Sequence, residues 1–198
     1  MDSVRQSLIP TLRSTIPVHH FRHRQVDLMA EKLSGANPVG LSIRLSSTGV
    51  LDFLALATSN EVCLLKFEAG KLPLSELNLS SILDGFTLVA FEMAQLALHI
   101  HRCLQQHVRG VDLSTLLSSS TKQPWRPSKF VEIKLCYDCR KLEIDQLWDG
   151  DSEYGFREVC LRAWLSARSV FTYTYGRPLD VSQFQVWRNV AFWMRGVH

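Results

Sequence analysis

The sequence predicts a mixed α/β fold whose strands lie mainly in the first half of the chain and whose second half is helical. Two apolar runs within Pro38–Phe67 have the length and the β-branched and aromatic content of strands, and Gly49 lies in the Ser/Thr/Gly turn between them. From Glu92 onward, the apolar residues recur at helical spacing. These observations predict a sheet followed by helices that pack on it.

Composition narrows the class of protein. The chain has 198 residues, of which 46% are hydrophobic and 21% are charged, and its formal net charge is +3. This is a globular profile, and we expect one domain over residues 18–198 preceded by an N-terminal arm over residues 1–17. No apolar run approaches the roughly 18 residues that span a bilayer, and the N-terminus lacks a signal peptide's long apolar region. The sequence therefore predicts an intracellular protein, nuclear or cytoplasmic, without membrane association.

The cysteines do not predict a disulfide framework or a metal centre. They are odd in number and lie in apolar contexts, which favours buried, reduced thiols: Cys63, Cys103, Cys136, Cys139 and Cys160. Cys136 and Cys139 form a lone CxxC motif, and zinc would need two more ligands that no second CxxC or HxxxH supplies. We therefore expect neither a bound metal nor a cofactor.

The elements of the first half follow from local patterns. His19–Leu33 has approximate helical spacing and ends at a Gly-containing stop before Pro38, so it predicts a first helix with a basic, mainly solvated face. A contact with phosphate or acidic groups is the alternative for that face. After the strand pair we expect, in order, a short helix over Leu77–Leu83, a strand over Thr87–Phe91, a helix from Glu92 to about Gln106 and a strand-like link at Arg109–Leu113.

The second half begins with a polar loop at Ser118–Ser128, which is typical of a disordered segment or a lid. Lys129–Leu142 and Phe156–Ser169 both predict amphipathic helices, although the first nearly alternates and could be a strand. A final helix is predicted over Val181–Met194. Its aromatic-rich face favours core packing over a ligand or partner groove.

This order of elements resembles the RNase D branch of the DEDD 3′–5′ exonucleases. Four segments carry the resemblance: PVGLSIR with LDFLALATSNEVCLLKF for the family's first two strands, LVAFEMAQLAL for its strand end and following helix, GVDLSTLL for its Val-Asp-Thr segment, and GRPLDVSQFQVW for the entry into its final motif. The resemblance implies an RNase H-like fold, in which a mixed sheet is flanked by helices.

The resemblance also implies a two-metal nuclease centre, yet the matching positions hold no acids. Such enzymes bind two divalent ions through four carboxylates. Carried over by position, the family's site residues fall on Ser42, Arg44, Leu96, Val186 and Val190. A guanidinium at position 44 stays protonated and would take the place and charge of a metal ion. Only Asp112 stays in register, and the resemblance implies a structural role for it.

Three functions stay open, and we rank a catalytically inactive scaffold in an RNA-processing or RNA-silencing complex first. Aromatic residues near the C-terminus would bind a protein partner or a second copy: Trp164, Phe171, Tyr173, Tyr175, Trp187 and Trp193. The second function is RNA or single-stranded nucleic-acid binding without cleavage, through Arg44, His19, Arg22, Arg24, Arg126 and Trp125. The third is an active metal-dependent nuclease with a displaced acidic set: Asp52, Glu92, Asp112 and Asp180.

Overall fold

The computed structural model describes residues 2–4, 16–67, 79–116, 125–134, 141–149 and 155–173, and the elements below lie within them. The strands are β1 (Asp2–Val4), β2 (Ile16–Arg22), β3 (Val39–Leu45), β4 (Leu51–Ala57), β5 (Val62–Lys66), β6 (Leu88–Ala90) and β7 (Gly110–Asp112). The helices are α1 (Val26–Lys32), α2 (Ser80–Leu83), α3 (Met93–Leu104), α4 (Leu113–Leu116), α5 (Pro127–Lys134), α6 (Lys141–Asp149) and α7 (Phe156–Tyr173).

All of these strands belong to one mixed sheet with the order β1-β2-β5-β4-β3-β6-β7. β3, β4 and β5 form an antiparallel meander, and β6 and β7 continue the sheet in parallel beyond β3. β2 adds a parallel strand beyond β5, and β1 pairs antiparallel with β2. The predicted α/β fold of RNase H-like type, with helices beside a mixed sheet, is confirmed by this arrangement.

The period-two alternation of the strands divides the core into two layers. Leu54 and Leu56 of β4 pack with α1, α2 and α3 on one face of the sheet. Ala55 and Ala57 pack on the other face against residues of α5, α6 and α7. A third cluster around Phe91 and Phe130 joins β6 and β7 to α5 and the end of α7. The predicted strand at Thr87–Phe91, the helix from Glu92, the short strand before Leu113 and the helix from Phe156 are all confirmed.

Helix α7 packs against β3 at very short range. A Cβ atom added to Gly40 would lie 2.0 Å from the carbonyl oxygen of Ala163 and 2.7 Å from the backbone nitrogen of Ala167. Three small residues therefore let the two backbones meet, and only glycine fits on the strand. This contact places the N-terminal half of α7 above the later residues of β3.

The predicted helix over His19–Leu33 is wrong at its beginning. β2 continues to Arg22, a 3-10 turn follows at His23–Gln25, and the α-helix begins only at Val26. Val18 pairs with Val62 in parallel, so backbone bonding along the edge of β5 outweighs the weak helical spacing in this segment. The predicted domain boundary at residue 17 falls inside this strand.

The apolar run Leu51–Phe67 is two strands, β4 and β5, where we expected one. A tight turn divides them, because Thr58 Oγ1 accepts hydrogen bonds from the backbone N–H groups of Asn60 and Glu61 at 3.2 and 3.3 Å. The polar sequence Thr-Ser-Asn is a usual turn signal that the length of the apolar run concealed.

In the described residues of the second half, the structure resolves one open alternative and adds one helix. Residues 127–134 are helical, so the strand alternative for this segment is wrong where the structure describes it. The helix α6 at Lys141–Asp149 was not predicted. The predicted final helix over Val181–Met194 lies outside the described residues.

Candidate functional site

Ser42 and Arg44 lie on the face of β3 that α7 covers. They alternate with Leu41 and Ile43, whose side chains join the core on the opposite face. Ser42 is only 2% exposed, whereas Arg44 is half-buried. The strand period therefore directs both of these predicted site positions towards α7.

A cleft of about 550 Å³ opens at this end of β3. Its walls come from β3 and the turn after it, from the first turns of α3, from α6 and from the N-terminal half of α7. The lining residues are Leu41, Ser42, Ile43, Arg44, Leu45, Ser46, Ser47, Phe91, Glu92, Gln95, Leu96, His99, Leu147, Trp148, Glu158 and Arg162. Three of the predicted positions, Ser42, Arg44 and Leu96, thus meet in one cleft.

Arg162 connects the two walls of the cleft. Its Nη2 atom donates a hydrogen bond of 2.7 Å to the carbonyl oxygen of Ile43 on β3. Burial lowers the pKa of the Arg162 guanidinium, the carboxylates of Glu158 and Glu92 act in the opposite direction, and Arg44 lowers it further. Glu158, Glu92 and Arg44 therefore all lie within electrostatic reach of Arg162.

Glu158 and Arg162 line the cleft, and the sequence analysis did not predict either of them. They are four residues apart and so lie on one face of α7, in the orientation that favours a Glu–Arg pair. The Oε1 atom of Glu158 and the Nε atom of Arg162 are buried without a hydrogen-bond partner. The i, i+4 spacing was visible in the sequence, but the helical period does not say which face of α7 meets the end of β3.

Glu92 forms the junction between β6 and α3 with an unusual backbone. Its φ of 58° and ψ of 40° are left-handed, which is uncommon for a residue other than glycine. Such conformations concentrate at functional sites, where surrounding contacts hold them in place. Here the conformation puts the carboxylate-bearing residue at the mouth of the cleft, before the first turn of α3.

The side chains of the cleft do not fit the two-metal centre that the fold implies. Two divalent ions need several converging carboxylates, and Leu96 and Ser42 supply none. Among the residues that the structure describes, no group of three or more His, Cys, Asp or Glu residues could hold a metal ion. Two guanidinium groups instead share the cleft with two carboxylates. Val186 and Val190, the remaining predicted positions, lie outside the described residues.

Asp112 lies at the end of β7, and its carboxylate binds backbone donors. Oδ2 accepts a hydrogen bond of 2.8 Å from the N–H of Met93, and Oδ1 accepts one of 3.2 Å from the N–H of Thr115. The buried side chain therefore joins the beginnings of α3 and α4. Within the displaced acidic set, Glu92 lines the cleft, whereas Asp52 does not and Asp180 is outside the described residues.

A second cavity of about 420 Å³ adjoins the cleft and shares Phe91, Glu92 and Trp148 with it. Trp125 and Arg126, two of the predicted nucleic-acid contacts, line this cavity. The Nζ atom of Lys129 lies 5.0 Å from the centroid of the Trp125 ring. The structure thus brings Arg44, Trp125 and Arg126 onto two neighbouring cavities.

The remaining basic candidates lie elsewhere. His19 is on β2, where its Nε2 atom lies 2.9 Å from Oε2 of Glu61, and Lys32 contacts the same oxygen at 3.0 Å. Arg22 and Arg24 are exposed at the end of β2 and in the turn that follows. None of the three lines the cleft or its neighbouring cavity.

Of the aromatic residues predicted to contact a partner, the structure describes one that is buried and one that is exposed. Trp164 is 3% exposed and donates a hydrogen bond of 2.9 Å from Nε1 to the carbonyl oxygen of Ser59, so the expectation that it lies on a partner surface is wrong. Phe171 is 45% exposed, with the guanidinium of Arg168 5.3 Å from its ring centroid. The side chain of Tyr173, which ends α7, is not described, and Tyr175, Trp187 and Trp193 lie outside the described residues.

The order of the sheet, with helices on both faces, defines the class of this protein as a mixed α/β domain of RNase H-like fold. Solved structures of similar fold include the EXD2 exonuclease domain soaked in Mn and GMP, with a TM-score of 0.43, 16% identity and coverage of 81% of this chain and 91% of that chain. Another is a nuclease in its apo form, with a TM-score of 0.47, 11% identity and coverage of 82% of this chain and 81% of that chain. No protein-family model and no curated protein matches the sequence.

Proposed function

We propose that this chain is a non-hydrolytic exonuclease-like domain that acts as an interaction scaffold within an intracellular RNA-processing or RNA-silencing complex. The observation that carries the proposal is the composition of the cleft. Arg44 and Arg162 lie there with Glu92 and Glu158, so the fixed positive charges of the protein balance its fixed negative charges. A cleft with this balance has no excess of negative charge to attract divalent ions.

The chemistry of phosphodiester hydrolysis supports the same proposal. In a two-metal site, the ions lower the pKa of an attacking water and stabilise the leaving oxygen. A guanidinium stabilises negative charge, but it stays protonated and has no free site at which to ionise a water molecule. Ser42 and Leu96, at the positions where the resemblance implies carboxylates, add no metal-binding charge.

The scaffold role is supported by large apolar side chains on the exposed surface of the helical half. Ile133 of α5 is 48% exposed and Leu142 of α6 is 77% exposed. An ion pair of 2.7 Å between Lys141 and Glu132 joins the two helices directly beside these residues. With Phe171, they supply apolar surface of the kind that protein interfaces cover.

RNA binding without cleavage is the second candidate, and one arrangement favours it. The cleft offers Arg44 for a phosphate, and the adjoining cavity offers Trp125 for base stacking with Arg126 beside it. Stacking platforms combined with a basic path are the usual means of holding single-stranded nucleic acid.

The hydrolysis test uses purified full-length chain with end-labelled single-stranded RNA and DNA in Mg²⁺ or Mn²⁺. We expect the oligonucleotides to stay at full length on a denaturing gel, because the cleft lacks the converging carboxylates that a two-metal centre needs. Divalent-ion-dependent shortening that disappears in Glu92→Gln or Glu158→Gln would contradict the proposal.

Fluorescence anisotropy of the same mixtures separates the scaffold role from nucleic-acid binding. Salt-dependent binding that Trp125→Ala and Arg126→Glu weaken, and the distant Lys66→Glu does not, would favour nucleic-acid binding.

The scaffold role is tested by affinity capture from a lysate together with analytical ultracentrifugation. We expect a stoichiometric partner or self-association, reduced about tenfold in a Leu142→Asp/Phe171→Asp double variant because a charge on each apolar patch must be desolvated. Gln146→Asp is the matched control, since Gln146 is exposed on the same helix as Leu142. A chain that stays monomeric and captures no partner would contradict a scaffold role.

A further inference from the structure

We infer that the guanidinium groups of Arg44 and Arg162 balance the charge of two carboxylates in the cleft and thereby exclude divalent metal ions. The oxygen atoms that could bind such an ion are still present. The inference rests on the proposed function and deepens it, because it explains how the charge of the carboxylates in an exonuclease-like cleft is balanced without a metal ion. The excluded ligand is a hard divalent cation. When the two guanidinium groups are removed, we expect such a cation to bind in the cleft.

Arg162 lies where a metal ion could bind the main chain of β3. Its side chain crosses from α7 to β3 and donates to the carbonyl oxygen of Ile43 at 2.7 Å. A main-chain carbonyl is itself an oxygen ligand that hard cations use, so the guanidinium binds an atom that a metal ion would otherwise bind. Arg162 therefore supplies a positive charge where a metal ion would, and it binds the carbonyl oxygen by a hydrogen bond instead of by metal coordination.

Two carboxylates come to the cleft from opposite walls. Glu158 precedes Arg162 by four residues on α7, and Glu92 comes from the opposite wall at the start of α3. Both line the cleft together with the hydroxyl-bearing Ser42. Two carboxylates, a hydroxyl and a carbonyl are a donor set suited to one hard cation, and a buried oxygen of Glu158 has no hydrogen-bond partner.

Arg44 brings a second guanidinium to the start of α7. Its Nη1 atom lies 3.4 Å from the point that a Cβ atom on Gly155 would occupy, immediately before α7 begins at Phe156. The guanidinium therefore lies beside the first turn of the helix that carries Glu158 and Arg162. Arg44 and Arg162 repel each other, and the carboxylates of Glu158 and Glu92 stabilise the charge of Arg162 against that repulsion.

The test replaces both arginines with methionine, which has a similar length and no charge. Mn²⁺ binding is measured by isothermal titration calorimetry and by the change in melting temperature between EDTA and Mn²⁺. We expect the wild type to show no metal-dependent shift. We expect Arg44→Met/Arg162→Met to bind Mn²⁺ at least about tenfold more tightly than the wild type, and its melting temperature to rise with Mn²⁺ because the ion binds only the folded state.

The control adds Glu92→Gln and Glu158→Gln to the double variant, which should abolish the Mn²⁺ response. A double variant that binds Mn²⁺ no better than the wild type overturns the inference, and so does a wild type that binds it equally well. If the double variant does not fold, Arg44→Met alone keeps the Arg162–Ile43 bond and should still bind Mn²⁺ more tightly than the wild type. Failure of that single variant to do so also overturns the inference.

The outcomes separate this inference from the proposed function. Metal-dependent oligonucleotide shortening by the wild type would contradict the non-hydrolytic assignment. An inert wild type whose arginine variants gain no Mn²⁺ binding leaves that assignment in place and overturns only the role given to Arg44 and Arg162.

Discussion

Burial governs the chemistry of several ionisable side chains in this domain. Burial raises the pKa of the Cys160 thiol to about 12, and burial together with the charge of Glu61 does the same for Cys63. Both residues are therefore neutral packing groups at physiological pH, as their apolar sequence contexts predict. Neither has the thiolate character that nucleophilic or redox chemistry requires.

His99, which lines the cleft, gives the domain a pH-dependent stability. Burial lowers its pKa from 6.5, and the positive charge of Arg102 lowers it further. Below pH 6.5 the unfolded chain therefore binds a proton more readily than the folded chain, so stability decreases as the pH falls through this range.

We expect His99→Gln to show a smaller loss of unfolding free energy between pH 7.5 and pH 5.5 than the wild type. Arg102→Gln should remove part of the same pH dependence, because it removes the repelling charge and leaves the burial. Urea denaturation at the two pH values measures both effects. A pH dependence in His99→Gln as steep as that of the wild type would show that another group is responsible.

The residues of the candidate site were only partly predictable. Ser42, Arg44 and Leu96 could be assigned to one site because the resemblance to the exonucleases carries that family's site positions onto them. Glu158 and Arg162 could not, since their role depends on how α7 crosses the sheet. That crossing depends on the close approach at Gly40, a long-range contact that no local pattern contains.

At the scale of elements, the contact between β3 and α7 determines where the cleft lies. Gly40, Ala163 and Ala167 allow the helix to pack on the strand with almost no space for a side chain. Arg162, the residue before Ala163 on the same helix, donates its hydrogen bond to Ile43 and holds the N-terminal half of α7 beside the end of the strand.

Gly40→Ala should therefore destabilise the protein by roughly 3 kcal/mol or more, because the new methyl group would overlap two backbone groups that cannot rotate away. Gly49→Ala is the matched control: its Cβ would meet nothing within 4 Å, and only its φ of 77° is unfavourable. We expect a cost of about 1 kcal/mol for this change. Chemical denaturation measures both, and equal costs would contradict the close packing.

The elements with long, regular patterns were predicted well, and those formed by long-range contacts were not. α3 and α7 have clear helical periods, and β3 and β4 are bounded by turn residues. β2 was predicted as helix because its identity as a strand depends on pairing with β5, which is about forty residues away in the sequence. To predict that Leu51–Phe67 forms two strands, the Thr-Ser-Asn turn signal must be given more weight than the apolar residues on either side of it.

At the scale of the whole molecule, the cleft lies where the two helical layers meet the end of β3. α3 from one layer and α6 and α7 from the other contribute its walls. In the described residues, no helix is long and apolar enough to cross a membrane.

The order of elements along the chain was sufficient to predict the fold class, because short connections leave few ways to arrange these strands and helices. It was not sufficient to predict the charge balance of the cleft, which depends on side chains from β3, from the residue before α3 and from α7.

The central claim is that the protein's own guanidinium groups take the place of metal ions in this cleft. A crystal structure of the wild-type chain grown with a millimolar excess of Mn²⁺, with anomalous data collected at the manganese edge, tests it most directly. We predict no anomalous peak within coordination distance of Glu92, Glu158 or the Ile43 carbonyl oxygen, and an intact Arg162–Ile43 hydrogen bond. An Mn²⁺ ion bound in the cleft, with Arg44 or Arg162 displaced from it, would contradict the account.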